Sequence, residues 1–381
     1  MRARMFSWAV FAALLLNIVL LINTASGCRD NLLPPKHSAL FVFGDSLFDS
    51  GNNNYFDTLL RFKANFSPYG KTFFGYPTGR ATDGRIIPDF ISEYAGLPLI
   101  PPYLQPGQKW EYGVNFASIG GGVLDDTHPG YVINLRDQLR NFMNVEQHLR
   151  EKLGDEEAKA LLSSAVYLFN IGSNDYFAPF QENSRFFRSQ HVQKEYIGRL
   201  IGNLTNAIQE IYNKGGRKFA FLGLSPIGCL PWVRAFDPPR TNGCAQELVE
   251  IAKQHNIALS QLLQKLENHL KDFKHSTHDF FTSFSDRSNN PRKYGFTAGK
   301  MACCGSGIYR GLPTCGKVMN GYDLCENPRE FLFFDSGHAT EKANEQFAKL
   351  LWSGDSDVTW PYNLKSLFEI DNKCRSNVST E

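Results

Sequence analysis

Three residues, Ser46, Asp335 and His338, have the side chains that acyl transfer requires. A serine hydroxyl is a poor nucleophile near neutral pH and needs an adjacent base. An imidazole can serve, provided a carboxylate fixes its tautomer and steadies its cationic form. The oxyanion that develops needs hydrogen-bond donors aimed at it. Ser46 lies in LFVFGDSLFDS, residues 40–50, just past an apolar run. His338 follows Asp335 by three residues in Asp335-Ser336-Gly337-His338, so one loop can bring imidazole and carboxylate together. The expected donors are the Ser46 N–H, the Gly120 N–H in Ile119-Gly120-Gly121, and the Asn174 side chain in Gly172-Ser173-Asn174-Asp175. Each piece alone has a plainer reading. Gly-Asp-Ser makes turns, Gly-x-Asn-Asp caps helices, and Asp-x-x-His can open one. What favours chemistry is that all four segments follow expected strands, in one order. His338 is expected to be the only histidine that both follows a strand and shares its loop with an aspartate.

The elements that must position these residues are legible as periodicity. Continuous apolar runs at residues 39–43, 165–169, 218–222 and 330–334, with a weaker one at 112–117, predict strands covered on both faces. Helical spacing joins Leu139, Phe142, Leu149 and Leu153, which Gly154 stops. A second helix runs through Ile197, Leu200, Ile201, Leu204, Ile208 and Ile211 to Gly215-Gly216. A third runs through Leu248, Ile251, Leu259, Leu262, Leu266 and Leu270. Strands alternating with helices predict an α/β fold with a mostly parallel sheet. In such sheets ligands sit at the carboxyl ends of the strands, where all the candidate residues fall. Long loops are expected at 52–106 and 286–329, and no linker divides the chain.

The 381 residues are 42% hydrophobic with a formal net charge of +2, which suits a globular domain and not a nucleic-acid partner. Arg2 and Arg4 precede an apolar run over 6–22 and then Asn23-Thr-Ala-Ser-Gly-Cys28, the order of a secretory signal. Cleavage near Gly27 is expected, leaving residues 28–381 as one domain with no stable membrane span. Eight cysteines, Cys28, Cys229, Cys244, Cys303, Cys304, Cys315, Cys325 and Cys374, then predict disulfides, whose pairing the sequence leaves open. Cys303, Cys304, Cys315 and Cys325 are expected to staple the long loop before the last strand. Sequons at Asn65, Asn203 and Asn377 fit secretion. No metal or other cofactor is expected. His275 and His278 form an HxxH pair without a nearby third ligand, and read as a solvated helix end.

Seven stretches carry a resemblance to a known family: FVFGDSLFDSGNNNY, YPTGRATDGRIIPDFI, YGVNFASIGGG, YLFNIGSNDY, GGRKFAFLGLSPIGCLP, KYGFTAGKMACCGSGIYRG and LFFDSGHATEKANEQFA. Together they resemble the plant GDSL esterase/lipases of the SGNH hydrolase superfamily, most closely the GLIP group tied to secretion and plant defence. The resemblance covers nearly all of residues 28–381. It implies a flavodoxin-like three-layer sandwich with Ser46 as nucleophile, Asp335 and His338 completing a triad, and Ser46, Gly120 and Asn174 forming the oxyanion hole. Asp45 and Asp175 would then be supporting residues. Ile119 departs from the family, which usually has a small residue there, and Ala339 stands where many members have proline. No GxSxG elbow occurs, which separates the chain from ordinary α/β-hydrolases.

The expected function is a secreted, extracellular serine ester hydrolase acting on carboxylic esters of lipids or plant metabolites. The vacuole and the endoplasmic reticulum are the alternative locations. An acyltransferase would use the same acyl-enzyme, and a binding or scaffold protein would keep the fold without turnover. Acyl chain length and oligomeric state are not legible.

Overall fold

A computed structural model describes residues 39–183, 185–236, 243–316 and 321–370. The segment read as a secretory signal, Cys28, Cys374 and the Asn377 sequon lie outside the described residues. Ser38–Ile370 forms one compact unit.

The strands are β1 (Leu40–Gly44), β2 (Gly113–Asn115), β3 (Val166–Asn170), β4 (Lys218–Leu222), β5 (Lys274–His278), β6 (Ala298–Ala302), β7 (Cys304–Gly305), β8 (Asp323–Leu324), β9 (Phe331–Phe333) and β10 (Thr359–Pro361). The helices are α1 (Ile87–Tyr94), α2 (Leu135–Leu153), α3 (Asp155–Ser164), α4 (Ser173–Glu182), α5 (Gln190–Asn213), α6 (Pro231–Phe236), α7 (Gln246–His269), α8 (Phe280–Asn289), α9 (Glu341–Ser353) and α10 (Leu364–Glu369). The central sheet has the order β10-β5-β4-β3-β1-β2, parallel except for β10 at one edge. The run 2-1-3-4-5 is the flavodoxin-like order, whose crevice opens where the chain reverses direction between β1 and β3.

Every residue of β1, β3 and β4 is buried, as their unbroken apolar runs predict. Parallel register stacks their aromatic rings across the sheet. Phe43, Phe169 and Phe221 lie 4.7 and 4.9 Å apart on neighbouring strands. Phe41, Tyr167, Phe219 and Phe273 form a second row at 5.4, 5.3 and 4.9 Å.

Three expectations are corrected. The run at 330–334 does form a strand, but β9 pairs with β6 in a separate two-stranded sheet, outside the central one. His275 and His278 are not at a solvated helix end. They lie in β5, both buried, because β4 and β10 flank that strand and satisfy its backbone. His278 therefore also ends a strand beside an aspartate, Asp279. Finally, the 52–106 segment is not wholly loop. It contains α1, opened by Pro88 and Asp89.

Candidate active site

Ser46 stands in the turn after β1. Gln138 of α2 clamps the strand end, accepting from the Gly44 N–H at 2.9 Å and donating to the Gly44 carbonyl at 2.8 Å. A Cβ on Gly44 would fall 2.6 Å from the Asn170 carbonyl oxygen, so only glycine lets β1 and β3 end this close together. The next residue, Asp45, is buried and accepts the Leu47 N–H at 3.1 Å. Burial pushes its carboxyl up to about 7, against the Leu47 hydrogen bond and the charge of His338.

The Ser46 hydroxyl is 2.8 Å from His338 Nε2, and His338 Nδ1 is 2.8 and 2.9 Å from the two carboxylate oxygens of Asp335. An ionised carboxylate only accepts, so Nδ1 carries the proton and Nε2 is the atom left to receive one. Asp335 also accepts the Gly337 and His338 N–H groups at 2.9 and 2.8 Å, and the Tyr69 hydroxyl at 2.7 Å. Burial alone would raise the Asp335 carboxyl. The facing His338 charge and these donors outweigh it and hold the group below its usual range. For His338 burial pulls down, while the Asp335 charge and hydrogen bond, helped by Asp45, raise it above the ordinary histidine value. The loop is fixed at both ends. Phe334 N–H donates to the His338 carbonyl at 2.8 Å, and Trp232 N–H donates to the Ser336 carbonyl at 3.0 Å. Thr340 then caps α9 through the Ala343 N–H.

Of the other expected donors, Gly120 follows β2 and Asn174 follows β3. Gly120 adopts φ +84, a region that glycine enters freely. Asn174, in the first turn of α4, donates from Nδ2 to the Gly121 carbonyl at 2.9 Å. Its neighbour Asp175 accepts the Val123 and Leu124 N–H groups, both at 2.9 Å, and the Thr127 hydroxyl at 2.7 Å. The start of α4 and the glycine loop are therefore tied together twice. Among the described residues no acceptor takes the N–H of Ser46 or of Gly120. Ile119, the departure noted in the sequence, is buried in an apolar cluster with Phe62, Tyr69 and Phe334.

Several residues that hold this arrangement escaped the sequence reading. Asp49 accepts the Ile119 N–H at 3.0 Å, and Asn53 donates to the Ile119 carbonyl at 2.9 Å. Both stand within the Gly-Asp-Ser stretch, so their nearness to Ser46 was the available signal. Tyr69, Gln138 and His128, whose Nδ1 is 2.9 Å from the Gly120 carbonyl, carry no local signal at all. The remaining candidates lie apart from the site. Asn65 and Asn203 are exposed, the latter on α5. Disulfides join Cys229 to Cys244, Cys303 to Cys325 and Cys304 to Cys315. The described residues contain no cluster of three or more His, Cys, Asp or Glu side chains arranged to hold a metal ion, and none of their helices is long and apolar enough to cross a membrane. A cavity of about 470 Å³ between α8 and α9, lined by Arg287 and Gln346 among others, shares no residue with the constellation.

The family model for GDSL-like lipase/acylhydrolase matches residues 40–351. GDSL esterase/lipase 1 of Arabidopsis thaliana is 52% identical over 360 residues, 93% of this chain and 96% of that protein. GDSL esterase/lipase 2 of the same plant is 51% identical, with the same coverage of both chains. The GDSL lipase of Tanacetum cinerariifolium is 47% identical, covering 94% of each chain.

Proposed function

The chain belongs to the GDSL-like lipase/acylhydrolase family, and from that premise we propose that it is a secreted carboxylic ester hydrolase working through an acyl-Ser46 intermediate. The observation that carries this reading is the unbroken hydrogen-bonded line from the Ser46 hydroxyl through His338 to Asp335. Ser46 Oγ attacks the ester carbonyl carbon while His338 Nε2 takes its proton. Asp335 steadies the imidazolium that forms. The carbonyl oxygen, now an oxyanion, receives the N–H groups of Ser46 and Gly120 and the Asn174 amide. The tetrahedral adduct collapses, and His338 returns the proton to the departing alcohol. Water repeats the sequence on the acyl-enzyme, releasing the acid and freeing Ser46. Asp45 and Asp175 support the loops and take no part in proton transfer.

The substrates are carboxylic esters of lipids or plant metabolites, in keeping with the esterase/lipase names of the relatives. Secretion rests on the signal-like order of residues 2–28, cleaved near Gly27, and on the three disulfides. An extracellular role in plant defence extends the same resemblance.

The test is hydrolysis of nitrophenyl esters from acetate to long acyl chains by the secreted protein and by Ser46→Ala. Turnover is expected to vanish in the variant while folding and secretion persist. Equal rates in both proteins would overturn the reading. The amino terminus of the secreted protein, read by mass spectrometry, tests cleavage near Gly27.

A further inference from the structure

We propose that Asn53 is a positioning residue that aims the Gly120 N–H at the developing oxyanion. The inference rests on the serine-hydrolase reading above and names what enforces its oxyanion geometry. Gly120 and Gly121 leave the backbone itself undecided. Glycine accepts either sign of φ, so the Ile119–Gly120 peptide can turn over at little steric cost. In one orientation its N–H faces the reacting carbonyl. In the other its carbonyl would face there, and repel an oxyanion.

Two side chains from the Ser46 segment remove that freedom. Asp49 Oδ2 accepts the Ile119 N–H at 3.0 Å and fixes the preceding peptide. Asn53 Nδ2 donates to the Ile119 carbonyl at 2.9 Å and fixes the peptide in question. A trans peptide is planar, and its C=O and N–H point in opposite directions. Holding the Ile119 carbonyl against Asn53 therefore turns the Gly120 N–H away from Asn53, where no described acceptor takes it.

The Asn53 amide is itself unambiguous. It is buried, its second Nδ2 proton goes to the Phe62 carbonyl at 2.9 Å, and its Oδ1 accepts the Ser118 hydroxyl at 2.6 Å. Flipping the amide would set its oxygen against two carbonyls. Asn53 follows Ser46 by seven residues on the same turn-rich segment. One stretch of chain thus carries the nucleophile and, from its far end, orients the donor that serves it.

The experiment compares wild type with Asn53→Asp and Asn53→Ala. The variants are matched by active-site titration of Ser46 so that only folded protein is counted. For a nitrophenyl ester the expected result is a fall in kcat of about 10²-fold, with KM changed less than about threefold, since a lost oxyanion donor is felt in the transition state. Inhibitor affinities give a second readout. A trifluoromethyl ketone, which adds Ser46 to form an oxyanionic hemiketal, is expected to bind about 10²-fold more weakly to the variants. The matching unfluorinated ketone, bound without that addition, is expected to keep its affinity. A merely structural role would lower thermal stability and titratable sites while leaving the ratio of the two ketone affinities unmoved, and that result overturns the proposal. If neither Asn53 variant folds, Ser118→Ala removes the hydroxyl that orients the amide, along with its contact to the Ile133 N–H at 3.1 Å. A smaller kcat loss with a correspondingly smaller change in the ketone ratio is then expected, and an unchanged ratio overturns the proposal. A wild type without Ser46-dependent turnover would overturn the functional reading and this inference with it. A normal wild type with unaffected Asn53 variants would overturn this inference alone.

Discussion

His338 sets the acid limit of the proposed reaction. It must be neutral to accept the Ser46 proton, and its pKa is raised: burial pulls it down, but the Asp335 charge and hydrogen bond win. Asp335 is held low and stays ionised across the range in which His338 titrates. A raised imidazole pKa means that the protonated, inactive form persists to higher pH than in free histidine. kcat/KM is therefore expected to climb through a single limb centred above 6.5 and to level off on the alkaline side. A pH–rate profile checks this, and a limb centred near 5 would remove His338 as the base. The residues that chemistry demands were legible in the sequence because their types are few and their loops are short. Asp335 and His338 are three apart, so one turn unites them. Tyr69 was not legible. It reaches Asp335 across 266 positions of chain, a distance that only the folded molecule closes.

At the scale of elements, the site depends on parts that are not strands of the central sheet. The Asp335–His338 loop hangs from β9, and β9 is backed by β6 and the cystine-bearing segment after it. Cys303 and Cys304 donate their N–H groups to the Phe333 and Phe334 carbonyls at 3.0 and 2.7 Å. Their disulfides reach across 22 and 11 positions to Cys325 and Cys315. Periodicity revealed that a strand preceded His338 but not which sheet it joined, because pairing partners leave no trace in a three-residue apolar run. It also missed β5, whose Lys-His-Ser-Thr-His composition reads as polar although four of its five residues are buried. A similar limit applied to the 52–106 segment. Its order comes from tertiary contacts such as the Arg85–Glu341 pair at 2.8 Å, 256 positions apart in the chain. Replacing Cys303 and Cys325 together by serine is expected to lower stability by about 2–4 kcal/mol. It should also reduce kcat more than it changes KM, because the loop holding His338 loses its backing. Urea unfolding and steady-state rates measure the two effects, and a variant with lowered stability but unchanged kcat would show that the backing is structural only.

At the scale of the whole molecule, the burial that assembles the site also governs how the fold answers to pH. The α/β class and the parallel sheet were legible, since burial on both faces writes itself into a sequence as unbroken apolar runs. The polar groups buried among those runs were less legible as titrating groups, because their shifts come from enclosure and not from neighbours in sequence. Burial pushes Asp45 up to about 7, and Asp49 and Asp175 to about 6. Each carboxyl holds its proton more tightly folded than unfolded, so its contribution to stability declines as pH rises from near 4 through those values. Burial pushes His255 and His278 down to about 4. These must bind protons on unfolding at pH below about 6.5, so they contribute more stability as pH rises from 4 towards that value. Between 4 and 6 the two sets oppose each other. Above 6.5 the influence of the histidines fades as the unfolded state deprotonates, while Asp45 and His338, both raised, still titrate, and both contributions to stability decline as pH increases. The unfolding midpoint is therefore expected to change little between pH 4.5 and 6 and to fall between 6.5 and 8. Asp45→Asn should lessen that fall, because it removes one of the two groups responsible. Thermal unfolding across the pH series provides the check. A midpoint that rises between 6.5 and 8 would mean that the raised carboxyl of Asp45 does not govern how the fold answers to pH in that range.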